Sequence, residues 1–184
     1  MKYTFIRLFS AIETLVTFFR KKHNLATVIP TEEWPKIRKK LEKYVSKCLK
    51  TEGSLDGNEN KEKRDLIYQK VGELNRISFN VVFKKFCEQY AVNLDDLWPV
   101  CDSKDGISLS DIRNKLIHGE TFAKTNAEFL PLIIAESHLK WTVERMLLSV
   151  LGWPVKKSAV NLNHTTYISD KNGKWQEHRQ ILSK

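Results

Sequence analysis

The chain has little of what builds cofactor and metal sites. Its three cysteines, Cys48, Cys87 and Cys101, are odd in number and widely spaced. That excludes a CxxC zinc pair and a disulfide framework, and suits reduced thiols in a cytoplasmic protein. The seven glycines form no Gly-rich phosphate loop, and the acidic residues form no cluster of metal ligands. Nucleotide hydrolysis and two-metal chemistry are therefore not expected, and no metal or cofactor is needed. No serine or cysteine sits in a recognisable nucleophile setting. His23, His138, His164 and His178 have no partner at metal-ligand spacing and read as surface or satisfied core residues. Long hydrophobic runs are missing too. The nearest, Met1 to Arg20, is interrupted by Arg7 and Glu13 and is followed by no small-residue cleavage site, so neither a membrane span nor a signal segment is expected. There is no internal repeat and no low-complexity segment.

What is present is bulk and positive charge. A length of 184 residues with 41% hydrophobic residues, including five Trp and nine Phe, supports one domain with a real core. Lys and Arg number 31 against 22 Asp and Glu, a net charge of +9. This balance favours anionic partners, nucleic acid first among them, although a basic surface that binds nothing is the blander alternative.

The apolar residues recur at helical spacing. Phe5, Leu8, Phe9, Ile12, Leu15, Val16 and Phe19 step by three and four, the stripe of a helix facing a core. Thr31 is placed to cap a second helix, with Ile37, Leu41, Tyr44, Val45 and Cys48 on its apolar side. Lys36, Arg38, Lys39, Lys40 and Lys43 lie on the other side as candidate RNA-binding residues, where a solvated charged face is the commoner use of such a pattern. Residues 51 to 61 read as a loop. Leu66, Ile67, Val71, Leu74 and Ile77, then Val81, Val82 and Phe86, predict one long helix or two in tandem broken near Ser78. A short helical turn ended by Pro99 is expected at Asp95 to Trp98. Ser108 and Asp111 fit a capping box at the start of a helix that ends near Gly119. A last helix is expected from about Ala127 to Leu151, with Leu132, Ala135, Leu139, Val143, Met146, Leu147 and Val150 buried and Gly152 as its stop. Beyond Lys156 the alternation of Val160 to Ile168, the Asp170–Gly173 turn signal and Trp175 to Leu182 suggest a β-hairpin. The expected fold class is all-α, an up-and-down helical bundle of about five helices over residues 1–155, with a short hairpin-like tail over 156–184.

The chemically richest stretch is Arg113-Asn114-Lys115-Leu116-Ile117-His118-Gly119. It places a permanent cation, an amide and an imidazole within one and a half helical turns and then stops the helix. Arginine holds phosphate through a planar fork of donors, and histidine moves protons near neutral pH. Asn114 and His118 share a helix face, whereas Arg113 and His118 diverge by about 140°. The arginine must therefore swing round, and a histidine in the final turn can leave strict helical register to meet it.

The helix Asp-Ile-Arg-Asn-Lys-Leu-Ile-His-Gly, followed by a long helix closing in Leu-Leu-Ser-Val-Leu-Gly-Trp, resembles the HEPN superfamily and most of all its ApeA-like branch. The resemblance extends over roughly residues 3 to 154, including the Phe-Ser-Ala-Ile-Glu-Thr-Leu helix and the Phe79 to Tyr90 segment. It implies a bundle that forms a homodimer with the two motifs facing each other, and a metal-independent endoribonuclease of antiviral-defence or toxin type. Under it Arg113 and His118 are the catalytic pair, Asn114 is the polar residue after the arginine, and Lys115 and Glu120 tune the site. RNA is then the substrate, an antitoxin or sensor partner suits such an effector, and no membrane is involved. ApeA-like domains often follow a larger sensing region, whereas here the helical pattern begins at Met1; a stand-alone member and a part of a longer protein are both consistent with that.

Chemistry independently favours two chains. Attack of a ribose 2′-hydroxyl on its own phosphate needs a base, an acid and a cation near the developing charge, and one histidine per chain supplies one proton carrier. The alternatives are a non-catalytic dimerisation or protein-interaction module, in which Arg113 and His118 merely cap and solvate a helix end, and a nucleic-acid binder that does not cleave.

Overall fold

A computed structural model describes residues 2–51, 61–119, 126–155 and 175–183. The described residues are all-α, with seven helices and no strand beyond one isolated antiparallel bridge between Thr27 and Arg76. The helices are α1 (Lys2–Lys22), α2 (Trp34–Thr51), α3 (Lys61–Glu73), α4 (Phe79–Gln89), α5 (Leu109–Ile117), α6 (Asn126–Val150) and α7 (Trp175–Leu182). None of them is long and apolar enough to cross a membrane. The chain divides into two compact units, one made of Met1–Phe19 with Phe83–Lys184 and the other of Arg20–Val82.

In the first unit the stripe of α1 is buried as its spacing predicts, through Phe5, Phe9, Ile12 and Val16. Phe19 meets Phe86 and Tyr90 edge-on, with ring centroids 5.4 and 6.0 Å away, the geometry aromatic quadrupoles prefer. On α6, Leu132, Ala135, Leu139, Val143 and Met146 are buried, but Leu147 and Val150 are exposed. The stripe rotates out of the core over the last turn. Pro131 lies within the first turns of α6, where a missing backbone donor does little harm. Gly152 ends the connection in the left-handed region at φ 68°.

Trp98, at 1% exposure, anchors the interior. Its indole donates to the Ile107 carbonyl at 2.8 Å and its backbone N–H donates to His138 Nδ1 at 3.1 Å. The segment before it is a turn, not a helical turn: Leu97 N–H bonds Leu94 O at 2.9 Å and the Asn93 side chain accepts from Asp95 N–H at 2.9 Å. An asparagine side chain that mimics a backbone turn competes with helix here.

The expected hairpin is corrected over its second half. Trp175–Leu182 is helical, burying Trp175, Arg179 and Leu182 at i, i+4 and i+7. Gln, Glu, Arg and Leu are good helix formers, and this spacing belongs to a helix rather than a strand. Residues 160–168 and 170–173 lie outside the described residues, as do 52–60 of the expected loop.

In the second unit α2 begins at Trp34, three residues later than Thr31 would cap it. Pro35 occupies the first turn, where its fixed φ is favourable. Leu41, Val45 and Cys48 are half-buried, but Tyr44 is exposed, as are Leu66 and Leu74 of the next helical segment. The tandem alternative holds for residues 61–89: α3 and α4 are separate, and the Ser78 hydroxyl accepts from Val81 N–H at the start of α4. Asn75, buried, pins the unit's loops by exchanging both amide bonds with the Ile29 backbone, at 2.7 and 3.0 Å.

Candidate active site

The motif helix α5 starts from its own sequence. The Ser108 side chain accepts from Asp111 N–H at 3.2 Å, and the Asp111 carboxylate accepts from Ser108 N–H at 3.0 Å. These reciprocal bonds satisfy donors that a helix start leaves open. Leu109, Ile112 and Leu116 fix the helix to the core. At the other end His118 N–H still bonds Asn114 O at 3.0 Å, and Gly119 turns away at φ 81°. Only glycine adopts that angle without strain, so the helix stops immediately after the histidine.

On this frame Asp111, Lys115 and His118 fall at i, i+4 and i+7, one stripe that drifts by only about 20° over seven residues. Asn114 flanks the stripe. Arg113 points elsewhere, and its side chain is held by three groups. One guanidinium nitrogen donates to Glu13 Oε1 on α1 at 2.8 Å, and another donates to Asn114 Oδ1 at 3.0 Å. The guanidinium lies 5.7 Å from the centre of the Phe9 ring, within cation–π range. The swing that the five-residue step demands is thus half made: the fork reaches Asn114, whose position faces the stripe.

The His118 ring is exposed and makes no hydrogen bond among the described residues. Asn114 is exposed, and its Oδ1 accepts from Arg113 while its Nδ2 has no partner among them. Lys115 is half-buried beside Asp111. Burial works against the Asp111 charge, but hydrogen bonds from Ser103 and Ser108 hold its carboxyl below the ordinary range. Glu120 lies outside the described residues. Lys36, Arg38, Lys39, Lys40 and Lys43 are all exposed on α2, in the other compact unit, and Arg38 is paired with Glu42 at 2.7 Å.

Sequence reasoning missed Glu13 and Phe9, because their partner lies a hundred residues away and only the fold reveals the pairing. The one available signal was a carboxylate at position 13 in a helix otherwise striped for the core.

Other chemistries find no support among the described residues. No group of three or more His, Cys, Asp and Glu is placed to hold a metal ion. Burial pushes the Cys87 and Cys101 thiols up to about 12, so neither is a thiolate nucleophile near neutral pH. Burial pushes His138 down to about 4, and its Nδ1 accepts from Trp98 N–H, so this imidazole is neutral. His178 is half-buried, His23 is exposed and His164 lies outside the described residues.

No family model matches the chain, and neither the curated proteins nor the solved structures contain a match.

Proposed function

We propose that the chain is a HEPN-like, most closely ApeA-like, metal-independent endoribonuclease acting in the cytoplasm as a defence or toxin effector. The observation that carries the reading is the state of His118. It is a solvent-open imidazole at a glycine-terminated helix end, with no bond among the described residues to occupy it and a tethered arginine fork nearby in sequence.

His118 takes the proton of a ribose 2′-hydroxyl as its oxygen attacks the adjacent phosphorus. The P–O5′ bond breaks, and the leaving 5′-oxygen takes a proton from the His118 of a second copy. The products are a 2′,3′-cyclic phosphate and a free 5′-hydroxyl. Arg113 holds the phosphate and faces the charge that builds on its oxygens, a contribution of about 10²–10³ in rate for one well-placed donor. Asn114 keeps the arginine turned toward the stripe. A homodimer completes the site, and exposed Ile117, beside His118, with exposed Phe129, Leu130 and Ile133 on α6, is the apolar surface a second copy would cover.

A second reading is favoured by one contact. The Arg113–Glu13 pair fills the arginine fork with a carboxylate and fastens α5 to α1. In that reading Arg113 is a structural clasp in a non-catalytic interaction module. Incubation of purified protein with end-labelled RNA in EDTA separates the two. The enzyme reading expects cleavage with cyclic-phosphate ends, lost in both His118→Ala and Arg113→Ala. The clasp reading expects no cleavage and a lower melting temperature for Arg113→Ala alone.

A further inference from the structure

Beside the motif, a cavity of about 420 Å³ is lined by Asp111, Asn114 and Lys115 of α5, by Ser103, Gly106 and Ile107 of the preceding loop, and by Ser183 after α7. The volume falls in the usual range for small-molecule sites, roughly 300–1,000 Å³. We propose that this cavity is a base-recognition subsite selective for guanine, so that the chain cleaves RNA after guanosine. The proposal rests on the ribonuclease reading and supplies the substrate preference that reading lacks.

The hydrogen-bonding groups define the ligand. Asp111 Oδ2 is saturated, accepting from the Ser103 hydroxyl at 2.5 Å, the Ser108 hydroxyl at 2.6 Å and Ser108 N–H at 3.0 Å. Oδ1 has no partner among the described residues. A carboxylate held by three donors stays ionised and fixed in orientation, and its open oxygen accepts only. A phosphate there would meet negative charge, so the cavity suits a base.

Asn114 Oδ1 is committed to Arg113, which leaves its Nδ2 as a donor at the other edge. The Ser183 hydroxyl is spent, accepting from Ile107 N–H at 2.8 Å and donating to Arg179 O at 2.7 Å. The free functionality is therefore an anionic acceptor beside amide and ammonium donors. Guanine alone presents two adjacent donors, N1–H and N2–H, next to an acceptor, O6. Adenine and cytosine each turn a ring-nitrogen lone pair toward the carboxylate, and uracil has a single N–H flanked by two carbonyls.

The spacing agrees with one nucleotide bridging cavity and histidine. Asp111 and His118 stand on one stripe of α5, separated along the axis by about 10 Å. That is comparable to the span from the Watson–Crick edge of a base to the phosphate on its own ribose. With guanine in the cavity, its 2′-hydroxyl is the one presented to His118.

The test is calorimetric titration of the full chain with the 3′-monophosphates of guanosine, adenosine, cytidine and uridine, none of which contains a cleavable phosphodiester. Guanosine 3′-monophosphate is expected to bind at least about ten-fold more tightly than the others, the lower part of what a two-point base contact delivers. Inosine 3′-monophosphate, which lacks the N2 donor, should lose most of that margin. An Asp111→Asn variant, whose amide oxygen still accepts from Ser108 N–H, should erase it without a large shift in melting temperature. Equal binding of the four nucleotides, or none, overturns the subsite. Metal-independent cleavage without guanine preference also overturns it while leaving the ribonuclease reading standing. Selective guanosine 3′-monophosphate binding by a chain that cleaves no RNA upholds the subsite and overturns the catalytic reading instead.

Discussion

The interior around His138 and the surface stripe ending in His118 are built from the same kinds of residue and differ in how far their hydrogen bonds are satisfied. Inside, His138 accepts from Trp98 N–H, and Arg145 grips both oxygens of Asp96 at 2.5 and 2.9 Å and the Asn93 carbonyl at 3.0 Å. Arg179 donates to the carbonyls of Ile107, Asp102 and Gly106 while lying 5.9 Å from the Trp175 ring centre. On the surface, the His118 ring, Asn114 Nδ2 and Asp111 Oδ1 have no partner among the described residues. Buried polar groups are expensive to leave unpaired, so the first set reads as structure. Groups positioned by a capped helix and left open to solvent are available for a substrate, so the second reads as function.

The contrast breaks first at Arg113, which belongs to both kinds. If it holds phosphate, Arg113→Ala lowers the cleavage rate by about 10²–10³ while the melting temperature changes little, because a pair with side chains 29% and 36% exposed contributes about 1 kcal/mol or less. Single-turnover cleavage alongside thermal unfolding checks both halves.

The interior set predicts acid sensitivity of a definite sign. His138 has its folded-state value depressed from 6.5 to about 4 by burial. Between those values the unfolded chain binds a proton there that the folded chain does not. The stability from neutral His138 is therefore present above pH 6.5 and is lost as the pH falls toward about 4, by about 3 kcal/mol at most. Chemical denaturation across that range should show the slope, and His138→Gln should flatten it.

Next in size is Arg179→Ala, which strips three carbonyls of their donor and should destabilise by about 2 kcal/mol. Cleavage per folded molecule should survive, since Arg179 contacts the loop behind the cavity rather than the motif. The smallest effect sharpens the boundary between the two regions. Glu13→Gln keeps a hydrogen-bond acceptor for Arg113 but removes the competing charge, so stability should fall by less than about 1 kcal/mol. RNA affinity, read by a filter-binding titration with the His118→Ala background, should rise rather than fall.

Helix by helix, the sequence was informative where local chemistry decides. The α1 stripe, the Ser108–Asp111 capping box, the break near Ser78 and the glycine stop after His118 all follow from spacing and caps. It was misleading where tertiary contact decides. Trp175 packs among Trp98 and His138 and draws its segment into a helix, although the alternation upstream suggested a strand. Tyr44, Leu66 and Leu74 sit at core-like spacing and are exposed. At the candidate site, Arg113, Asn114 and His118 stand out in one short segment, whereas Glu13, Phe9 and the cavity formed with Ser103 and Ser183 require the fold to bring distant residues together.

The central claim is that His118 is a catalytic group and His138 is not. It is tested most directly by comparing His118→Ala and His138→Gln for cleavage of labelled RNA in EDTA, with each rate divided by the folded fraction. The account predicts that His118→Ala loses about 10²–10⁴ in rate with unchanged melting temperature. His138→Gln should melt lower yet cleave at the wild-type rate per folded molecule. Undiminished cleavage by His118→Ala would contradict it.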